Sequence, residues 1–304
     1  MDTKIKLIFN PHANRGRAWN TAMVLQSIVE RSGGGSWAAT EYPGHATELA
    51  EQACRDGFEV IAALGGDGTV HEVVNGLMHT PAESRPKLAA VPLGSGNDFC
   101  SNNGIAEDAE IAMQRVYAGE TGSIDLGRVT DDSGRTEFVD NTLGIGFDAA
   151  VTIHSYSITR IKGFGMYLWA VIQTILRNHD APHMIITTDT EKFEQNVLML
   201  VLCNGPREGG GFYVAPGAKS DDGIFNYAMI RHVSRPMMFR LIPEVMRGTH
   251  GRFEPVRLGS FRQLDLVSDD PFTAHIDGEV FAGFSSKIQR LKVDVLPQAI
   301  QIIR

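Results

Sequence analysis

Short apolar runs alternate with helix-period segments along the first part of the chain. Apolar strands are predicted at Lys4–Phe9, Trp37–Glu41, Val60–Leu64 and Lys87–Val91. Apolar residues at helical spacing predict helices at about Trp19–Glu30, Ala46–Arg55, Val70–Leu77 and Glu107–Tyr117. A chain that alternates strand and helix in this rhythm is typical of a doubly wound parallel sheet, so an α/β fold is predicted for this part.

Strands dominate the pattern after Leu126. They are predicted at Phe138–Leu143, His183–Thr188, Phe193–Cys203, Gly223–Ile230, Gln263–Val267, Phe272–Ile276 and Ile288–Val295. Two helices, Gly163–Arg177 and Pro236–Met246, interrupt them. Turn signals between the strands favour an antiparallel β-sandwich. We therefore predict an α/β domain at residues 1–127, rejoined by residues 298–304, and a β-sandwich domain at residues 128–297.

The stretch from Val60 to Leu77 contains the first candidate site. An apolar strand meets the turn Gly65-Gly66-Asp67-Gly68-Thr69, and a helix follows. Glycines let the backbone approach a ligand closely, and the free N–H groups at a helix start attract anions. A carboxylate at Asp67 suits such a place if a divalent cation or a donor hydroxyl lies between it and a phosphate. The alternative is a plain strand-to-helix turn.

Two familiar phosphate loops are excluded by residue type. A Walker A loop needs Gly-Lys-Ser/Thr, and no lysine occurs between Lys6 and Lys87. The dinucleotide fingerprint, started at Gly66, needs a glycine where the chain has His71. The loop is therefore predicted to bind phosphate in another way.

Other polar loops follow the predicted strands at the same edge of the sheet. Asn10, Thr40 and the Gly94–Asp98 loop each come after a strand, as Gly66–Thr69 does. Ligands of doubly wound sheets bind beyond the carboxyl ends of the strands, so these loops indicate one crevice. Three carboxylates near this edge suit Mg²⁺ held through water and nucleotide phosphates; they are Asp67, Asp98 and Asp125. As alternatives, Asp98 caps a short helix and Asp125 starts a turn.

The second half of the chain contains further candidates. The run His275-Ile276-Asp277-Gly278-Glu279 is either a hairpin turn or a base placed at a strand tip. The glycine-rich run from Gly209 to Phe225 ends in acidic residues that suit a solvated turn or an oxygen-rich metal site. The ten histidines show no metal-ligand spacing, and most are expected at the surface or at caps. The apolar stripe Phe164–Leu176 is expected in the core, with an acyl-chain pocket or a membrane face as alternatives.

Composition narrows the class of protein. The chain has 304 residues, of which 43% are hydrophobic and 21% charged, and its net charge is −8. An acidic chain is a poor match for nucleic acid, so none is expected as a partner. Scattered cysteines, with no signal-peptide pattern, indicate a reduced cytoplasmic setting; they are Cys54, Cys100 and Cys203. The stripe Phe164–Leu176 is shorter than the ~20 residues of a membrane span, so no transmembrane segment is expected.

Taken together, these motifs resemble the diacylglycerol kinase catalytic-domain family, which includes bacterial lipid kinases and is similar to sphingosine and ceramide kinases. The resemblance rests on five motifs that span nearly the whole chain and follow one another in the same order as in the family: NPHANRG, GGDGTVHEVVNGL, PLGSGNDF, GGGFYVAPGAKSDDGIFN and IDGE. It implies an ATP-binding domain similar to those of NAD kinases and 6-phosphofructokinases, followed by a β-sandwich that binds the lipid substrate. It also implies ATP with Mg²⁺ as the phosphate donor and a lipid hydroxyl as the acceptor.

The resemblance also implies roles for individual positions. ATP-binding positions are Asn10, Thr40, Gly65, Gly66, Asp67, Gly68, Thr69, Val70, His71, Glu72, Gly94, Ser95 and Asn97. The catalytic Mg²⁺ network comprises Asp67, Asp98 and Asp125, with Asp67 as its anchor. The proton acceptor is Asp277, with Glu279 as its rival. A structural Mg²⁺ is implied at the backbone carbonyls of Lys219 and Ile224 and the side chain of Asp222.

The chain departs from the family pattern in three places. His12-Ala13-Asn14 stands where Thr-Ser-Gly is frequent, Gly217 follows Ala215-Pro216 where an aspartate is usual, and Asn226 replaces a frequent aspartate. These departures weaken the implied structural metal site more than the catalytic one.

The leading hypothesis is an ATP-dependent lipid kinase that phosphorylates a primary hydroxyl of a membrane lipid such as diacylglycerol. Phosphatidylglycerol and a sphingoid base remain alternative acceptors. A soluble-metabolite kinase of the NAD kinase type shares the GGDG element and is the second hypothesis. A regulator without catalysis is the third. The expected partner is a lipid at the membrane surface, with peripheral attachment to the inner membrane face, and a homodimer is left open.

Overall fold

The computed structural model describes residues 3–16, 18–158 and 164–304, except for the side chain of Arg15. The chain forms two compact units. The N-terminal unit comprises Met1–Ile124 and Gln298–Arg304, and the C-terminal unit comprises Asp125–Pro297. The chain passes from one unit to the other within strands β5 (Thr121–Asp131) and β15 (Arg290–Ile303).

The N-terminal unit is built on a parallel sheet. Its other strands are β1 (Ile5–Phe9), β2 (Ser36–Ala39), β3 (Val60–Gly65) and β4 (Lys87–Pro92). Its α-helices are α1 (Ala18–Arg31), α2 (His45–Arg55), α3 (Asp67–Met78), α4 (Asp98–Asn102) and α5 (Ala109–Ala118). The strand order is β2–β1–β3–β4, and Ile302 and Ile303 of β15 extend it beside β4. The doubly wound parallel sheet predicted from the sequence is confirmed.

The apolar runs explain this sheet. Every residue of β3 is buried, as expected for a strand covered on both faces. Helices α1 and α5 pack together, as do α2 and α3. A Cβ atom on Gly76 would lie 2.5 Å from the carbonyl oxygen of Thr47, so this glycine allows α3 to approach α2 closely.

The C-terminal unit is antiparallel. After β5, its strands are β6 (Thr136–Val139), β7 (Thr142–Gly146), β8 (His183–Thr188), β9 (Lys192–Cys203), β10 (Phe225–Arg231), β11 (Val256–Phe261), β12 (Gln263–Ser268), β13 (Ala274–Ile276) and β14 (Glu279–Ala282), followed by β15. Its α-helices are α6 (Phe147–Ser155), α7 (Phe164–Arg177) and α8 (Arg235–Met246).

Strand β9 belongs to both sheets of this unit. Its first residues pair with β8, whereas its second half pairs with β7 and β10. The inner sheet faces enclose one apolar core that includes Leu200, Leu202, Phe225 and Leu264. On the opposite face of β9, Met199, Val201 and Cys203 pack against other apolar residues, including Leu241 of α8. The predicted β-sandwich is therefore confirmed, with helices against one outer face.

Several predicted elements are wrong or incomplete. The strand predicted at Phe138–Leu143 is broken between β6 and β7, because the N–H groups of Asp140 and Asn141 donate to the side chain of Asp277. Helix α6 and strands β11 and β14 were not predicted. Gly163, where one helix was predicted to begin, lies outside the described residues. Within the described residues, no helix is both long and apolar enough to cross a membrane.

Candidate active-site loops and an apolar cavity

The β3–α3 loop of the N-terminal unit is tied to the end of β1. The Nδ2 amide of Asn10 donates to Thr69 Oγ1 at 3.0 Å, and Asn10 Oδ1 accepts from the N–H of His12 at 2.9 Å. A Cβ atom on Gly65 would lie 2.2 Å from Thr69 Oγ1. Glycine at position 65 therefore makes room for the hydroxyl that joins the two loops.

The β3–α3 and β4–α4 loops touch through backbone atoms. A Cβ atom on Gly94 would lie 2.4 Å from the Cα atom of Gly66. The side chain of Asn97, whose φ is 56°, accepts from the N–H of Gly94 at 3.0 Å. This contact requires glycine at both positions, and it brings together two loops that the sequence predicted to share one edge.

Two carboxylates converge on the space above Gly96. A Cβ atom there would lie 3.0 Å from Asp67 Oδ2 and 3.7 Å from Asp98 Oδ2. The other oxygen of Asp67 accepts from the N–H of Phe99 at 2.9 Å, which holds the carboxylate against the start of α4. Asp98 is the first residue of α4 and Asn97 is its N-cap, so the alternative that Asp98 is the cap is wrong.

The N-terminus of α3 faces the same loops. Its N-cap, Gly66, has no side chain to cap the helix, and the first turn begins at Asp67 and Gly68. Such a helix end binds anions through its N–H groups and its dipole. Within the described residues, this is the arrangement of the N-terminal unit that best suits a phosphate.

The remaining residues predicted to bind ATP are distributed around this loop. Val70 and His71 are buried in α3, and Ser95 lies between the two glycines of the β4–α4 loop. The buried Thr40 follows β2, and its N–H donates to the carbonyl of Phe9 at 2.8 Å.

Glu72 has a structural role that the sequence did not reveal. Its two carboxylate oxygens accept from the N–H groups of Gly44 and Ala46, at 2.8 and 2.9 Å. These N–H groups lie at the start of α2, where a helix lacks partners of its own. Glu72 therefore caps α2 from a neighbouring helix.

Asp125 lies in the C-terminal unit, together with the residues of the predicted structural Mg²⁺ site. Its N–H donates to the carbonyl of Ser220, and its Oδ2 accepts from the N–H of Gly223, both at 2.6 Å. In the same loop, Asp222 Oδ1 accepts from the N–H of Ile224 at 3.3 Å, and Lys219 precedes Ser220. Asp125 is thus bonded to the loop that carries Lys219, Asp222 and Ile224.

Asp277 and Gly278 form a hairpin turn between β13 and β14. Their φ angles are 50° and 86°, as a type I′ turn requires. The Asp277 carboxylate accepts from the N–H groups of Asp140, Asn141 and Thr142 at 2.8–3.1 Å. Asp277 is buried, and these bonds anchor its turn to the start of β7.

Glu279 is exposed at the start of β14. The hydroxyl of Tyr156 donates to Glu279 Oε2 at 3.1 Å and lies 2.8 Å from the carbonyl oxygen of Gly278. Burial, and then the charge of Glu279, raise the pKa of Tyr156 above its usual range. The two acidic residues of the motif therefore have different surroundings.

An apolar cavity lies between the β-sheet and the three helices of the C-terminal unit. Its space is about 790 Å³, including its solvent-open mouth. Helix α7 contributes Tyr167, Val171 and Ile175 to its walls. Because Ile175 and Val171 also pack in a hydrophobic core, part of the Phe164–Leu176 stripe lies in the core as expected and part of it borders the cavity. The other apolar walls come from α6, α8, β9, β10 and the segment between β9 and β10, and they include Phe147, Val151, Leu198, Phe212, Ile230, Met238, Leu241, Ile242 and Val245.

Two carboxylates, Asp148 and Glu208, line this cavity. His275 Nε2 lies 2.8 Å from Asp148 Oδ2 and 3.2 Å from Glu208 Oε1. Burial alone would lower the pKa of His275, but the hydrogen bonds to both carboxylates outweigh it and raise that pKa to about 10. Burial and the charge of Asp148 raise the pKa of Glu208. Ligand atoms of the three residues lie within 4.8 Å of one another.

The sequence missed this cluster. Its members are far apart in the chain, and no spacing rule connects them. Most histidines were expected at the surface or at caps, and seven of the ten are indeed exposed or only partly buried. His71, His250 and His275 are buried, and of these the sequence had singled out His71 alone. The local signal is that His275 lies between two apolar residues, Ala274 and Ile276, in a short strand whose residues are all buried.

The chain matches two described families. Residues 4–129 match the diacylglycerol kinase catalytic domain, and residues 141–304 match the YegS C-terminal NAD kinase beta sandwich-like domain. A Chromohalobacter salexigens protein named "Probable lipid kinase YegS-like" is 33% identical over 78% of this chain and 74% of its own length.

Proteins named diacylglycerol kinase are similar over more of the chain. That of Mycobacterium tuberculosis is 24% identical and covers 99% of this chain and 95% of its own length. That of Bacillus subtilis is 27% identical over 91% of this chain and 89% of its own length. The crystal structure of a diacylglycerol kinase from Bacillus anthracis superposes with a TM-score of 0.74 at 19% identity, covering 99% of this chain and 96% of the other. At that identity, the superposition establishes the shared fold.

Proposed function

This chain belongs to the diacylglycerol kinase catalytic-domain family, and from that membership we infer that it transfers the γ-phosphate of ATP to a primary hydroxyl of a membrane lipid such as diacylglycerol. It is an ATP-dependent lipid kinase, a phosphotransferase with an alcohol group as acceptor. The main structural support for nucleotide binding is that Asp67 and Asp98 converge on the space beside Gly96.

The N-terminal unit would bind the nucleotide phosphates at the start of α3. Backbone N–H groups there suit phosphate oxygens, and Gly66 and Gly94, where the two loops touch, carry no side chains of their own. The space between Asp67 and Asp98 fits a Mg²⁺ ion, because that cation prefers one or two carboxylates together with water and phosphate oxygens. When bound, Mg²⁺ would neutralise charge on the transferred phosphoryl group.

The acceptor hydroxyl must lose its proton during transfer. Asp277 already accepts three backbone hydrogen bonds, and a carboxylate has about four acceptor sites. Glu279 is exposed at the tip of the same hairpin, beside the phenol of Tyr156. Of the two rivals, Glu279 is therefore the better proton acceptor, and Asp277 is the residue that positions the turn.

The cavity of the C-terminal unit would hold an acyl chain of the acceptor. Apart from the end formed by Asp148 and Glu208, its walls are mainly apolar, and such a lining favours hydrocarbon over the polar groups of NAD. This observation supports the lipid kinase over the soluble-metabolite kinase.

The outer faces of α7 and α8 support a membrane surface as the place where the lipid is taken up. Trp169 and Leu176 of α7 are 45% and 61% exposed, and Phe239 of α8 is 40% exposed. Exposed arginines accompany them at Arg177 and Arg240. Aromatic and aliphatic side chains beside cations are typical of surfaces that rest on anionic bilayers.

The proposal is tested by incubating the purified chain with ATP labelled on its γ-phosphate, Mg²⁺ and a panel of lipids, with NAD as a separate acceptor. We expect label in a lipid and none in NAD, and mass spectrometry of the product identifies the hydroxyl. Transfer to NAD alone would reverse the choice of function. An Asp67→Ala protein as active as the wild type would refute the role given to the nucleotide loop.

A further inference from the structure

The apolar cavity of the C-terminal unit has a charged end that takes no part in the proposed transfer of phosphate. Asp148 and Glu208 line the cavity, and His275 lies behind them with no exposed surface. Charged groups rarely line a space built for hydrocarbon, because removing them from water is costly unless they are paired. The imidazolium of His275 balances the charge of one carboxylate, and the charge of the second carboxylate is left unbalanced.

Glu208 is incompletely satisfied. Its Oε1 accepts from Thr142 Oγ1 at 3.1 Å and lies 3.2 Å from His275 Nε2. Its Oε2 is buried and has no hydrogen-bond partner. A buried acceptor without a donor destabilises the protein unless a ligand supplies the missing bond.

The neighbouring backbone leaves room for this cluster. A Cβ atom on Gly144 would lie 2.0 Å from Asp148 Oδ2 and 2.3 Å from His275 Nε2. Any side chain at position 144 would therefore displace Asp148 or His275. The carboxylate end of the cavity is a packed part of the fold rather than a chance arrangement of surface groups.

The cluster is also connected to the hairpin that carries the proposed proton acceptor. Thr142 donates its hydroxyl to Glu208 and its N–H to Asp277 Oδ1, the latter at 2.8 Å. Thr142 therefore connects Glu208, at the cavity, directly to Asp277 in the turn. A lipid with its chain in the cavity and its head at Glu208 would present that head beside this turn.

We propose that Asp148 and Glu208 select the head group of the acceptor lipid. They would accept hydrogen bonds from a neutral or cationic head group, such as the glycerol of an acylglycerol or the amino-alcohol of a sphingoid base. They disfavour a head group that carries a phosphodiester, because like charges repel strongly at short range in a site of low dielectric constant. The inference rests on the proposed lipid kinase function, and it ranks phosphatidylglycerol last among the three acceptors left open by the sequence.

The test measures binding separately from catalysis. A monoacylglycerol and a lysophosphatidylglycerol that carry the same fluorescent acyl chain are titrated, below their micelle-forming concentrations, against the wild type, Glu208→Gln and Asp148→Asn. We expect the wild type to bind the neutral lipid at least about tenfold more tightly, and each amide variant to lose most of that preference. Glu191→Gln is the matched control, because Glu191 is paired with Tyr227 and Arg257 away from the cavity and its amide should keep the preference.

The results separate the two proposals. Equal binding of the two lipids by the wild type, or an unchanged preference in both Glu208→Gln and Asp148→Asn, overturns the selection of the head group even if lipids are phosphorylated. A preference for the neutral lipid without phosphate transfer to any lipid supports the selection and overturns the kinase function. Thermal unfolding of each variant shows whether it is folded, and the ratio of the two affinities is compared only within one folded protein.

Discussion

The Asp-Gly dipeptide at residues 67–68 of the N-terminal unit and the one at residues 277–278 of the C-terminal unit have opposite surroundings. Asp67-Gly68 starts helix α3, and its carboxylate faces the space above Gly96. Asp277-Gly278 forms a two-residue hairpin turn with both φ angles positive, and its carboxylate is buried against three backbone N–H groups. The same two residue types therefore begin a helix in one place and close a hairpin in the other.

The difference shows how a carboxylate's partners decide its role. Asp67 is held by the start of α4 at one oxygen, and its other oxygen lies, like one oxygen of Asp98, close to the position that a Cβ atom on Gly96 would occupy. Asp277 uses its acceptor sites to hold β7 against the turn, so it supports the geometry of its neighbour Glu279. Under the proposed function, the proton transfer of the late motif is assigned to Glu279 and the support of the turn to Asp277.

Glu279→Gln should have the largest effect. The amide keeps the size of the side chain but cannot accept the proton of the acceptor hydroxyl, so kcat should fall by about 10²–10⁴-fold with little change in KM. The measurement is steady-state phosphate transfer to diacylglycerol across a range of pH. A normal kcat in this variant would show that Glu279 is not the base.

Asp67→Asn should come next. Losing one negative charge from the proposed Mg²⁺ position weakens the stabilisation of the transferred phosphoryl group, and we expect a loss of about 10²–10³-fold in kcat. The rate should also need more Mg²⁺ to reach its maximum. Titration of Mg²⁺ at saturating ATP measures both effects, and an unshifted Mg²⁺ dependence would argue against the site at Gly96.

Asp277→Asn should act mainly on stability. The amide offers one acceptor oxygen where the carboxylate offers two, and its NH₂ group would face a backbone N–H. We expect the free energy of unfolding to fall by about 1–3 kcal/mol, measured by urea denaturation. A loss of kcat as deep as that of Glu279→Gln, at unchanged stability, would break the comparison and make Asp277 the base.

The charged cluster behind the hairpin should make stability depend on pH. The pKa of His275 is raised from 6.5 to about 10 in the folded protein. A raised pKa stabilises the fold fully below the unfolded value, and the contribution is lost as the pH rises through the folded value. The free energy of unfolding should therefore decline between pH 6.5 and about pH 10, by up to about 1.4 kcal/mol per pH unit.

The matched variant for this effect is His275→Gln, which cannot carry the charge. Its stability should be lower at neutral pH, and its slope over the same interval should be shallower than that of the wild type. Urea denaturation at several pH values measures both quantities. Parallel slopes in the two proteins would mean that His275 is not the group that titrates.

Much of the fold could be predicted from local patterns. The strands β1, β3 and β4 and the helices α1, α2 and α3 follow from apolar periodicity and from turn residues. Helix α6 was not predicted because it is short, with nine residues, and mostly buried, so its sequence has no amphipathic stripe. Strand β11 escaped for a related reason, since polar and small residues interrupt its apolar alternation.

The candidate site was predictable in its N-terminal loops and much less so elsewhere. Glycines at 65, 66 and 94 are visible in the sequence because close backbone approach demands that residue type. The capping of α2 by Glu72 and the bonding of Asp125 to the loop at Ser220 were not visible, since each depends on a distant segment. Those roles follow from packing and not from spacing.

The sequence alone predicts the two kinds of architecture, the glycine-rich turn after β3 and the membership of a lipid kinase family. These properties are encoded within short stretches, because hydrophobic period and turn chemistry act over a few neighbouring residues. Folding, and not local sequence, makes Asp277 the anchor of a turn while Glu279 is exposed, and it brings Asp148, Glu208 and His275 to the end of an apolar cavity. The physical reason is that burial and hydrogen-bond partners are set by segments that meet only when the chain has folded.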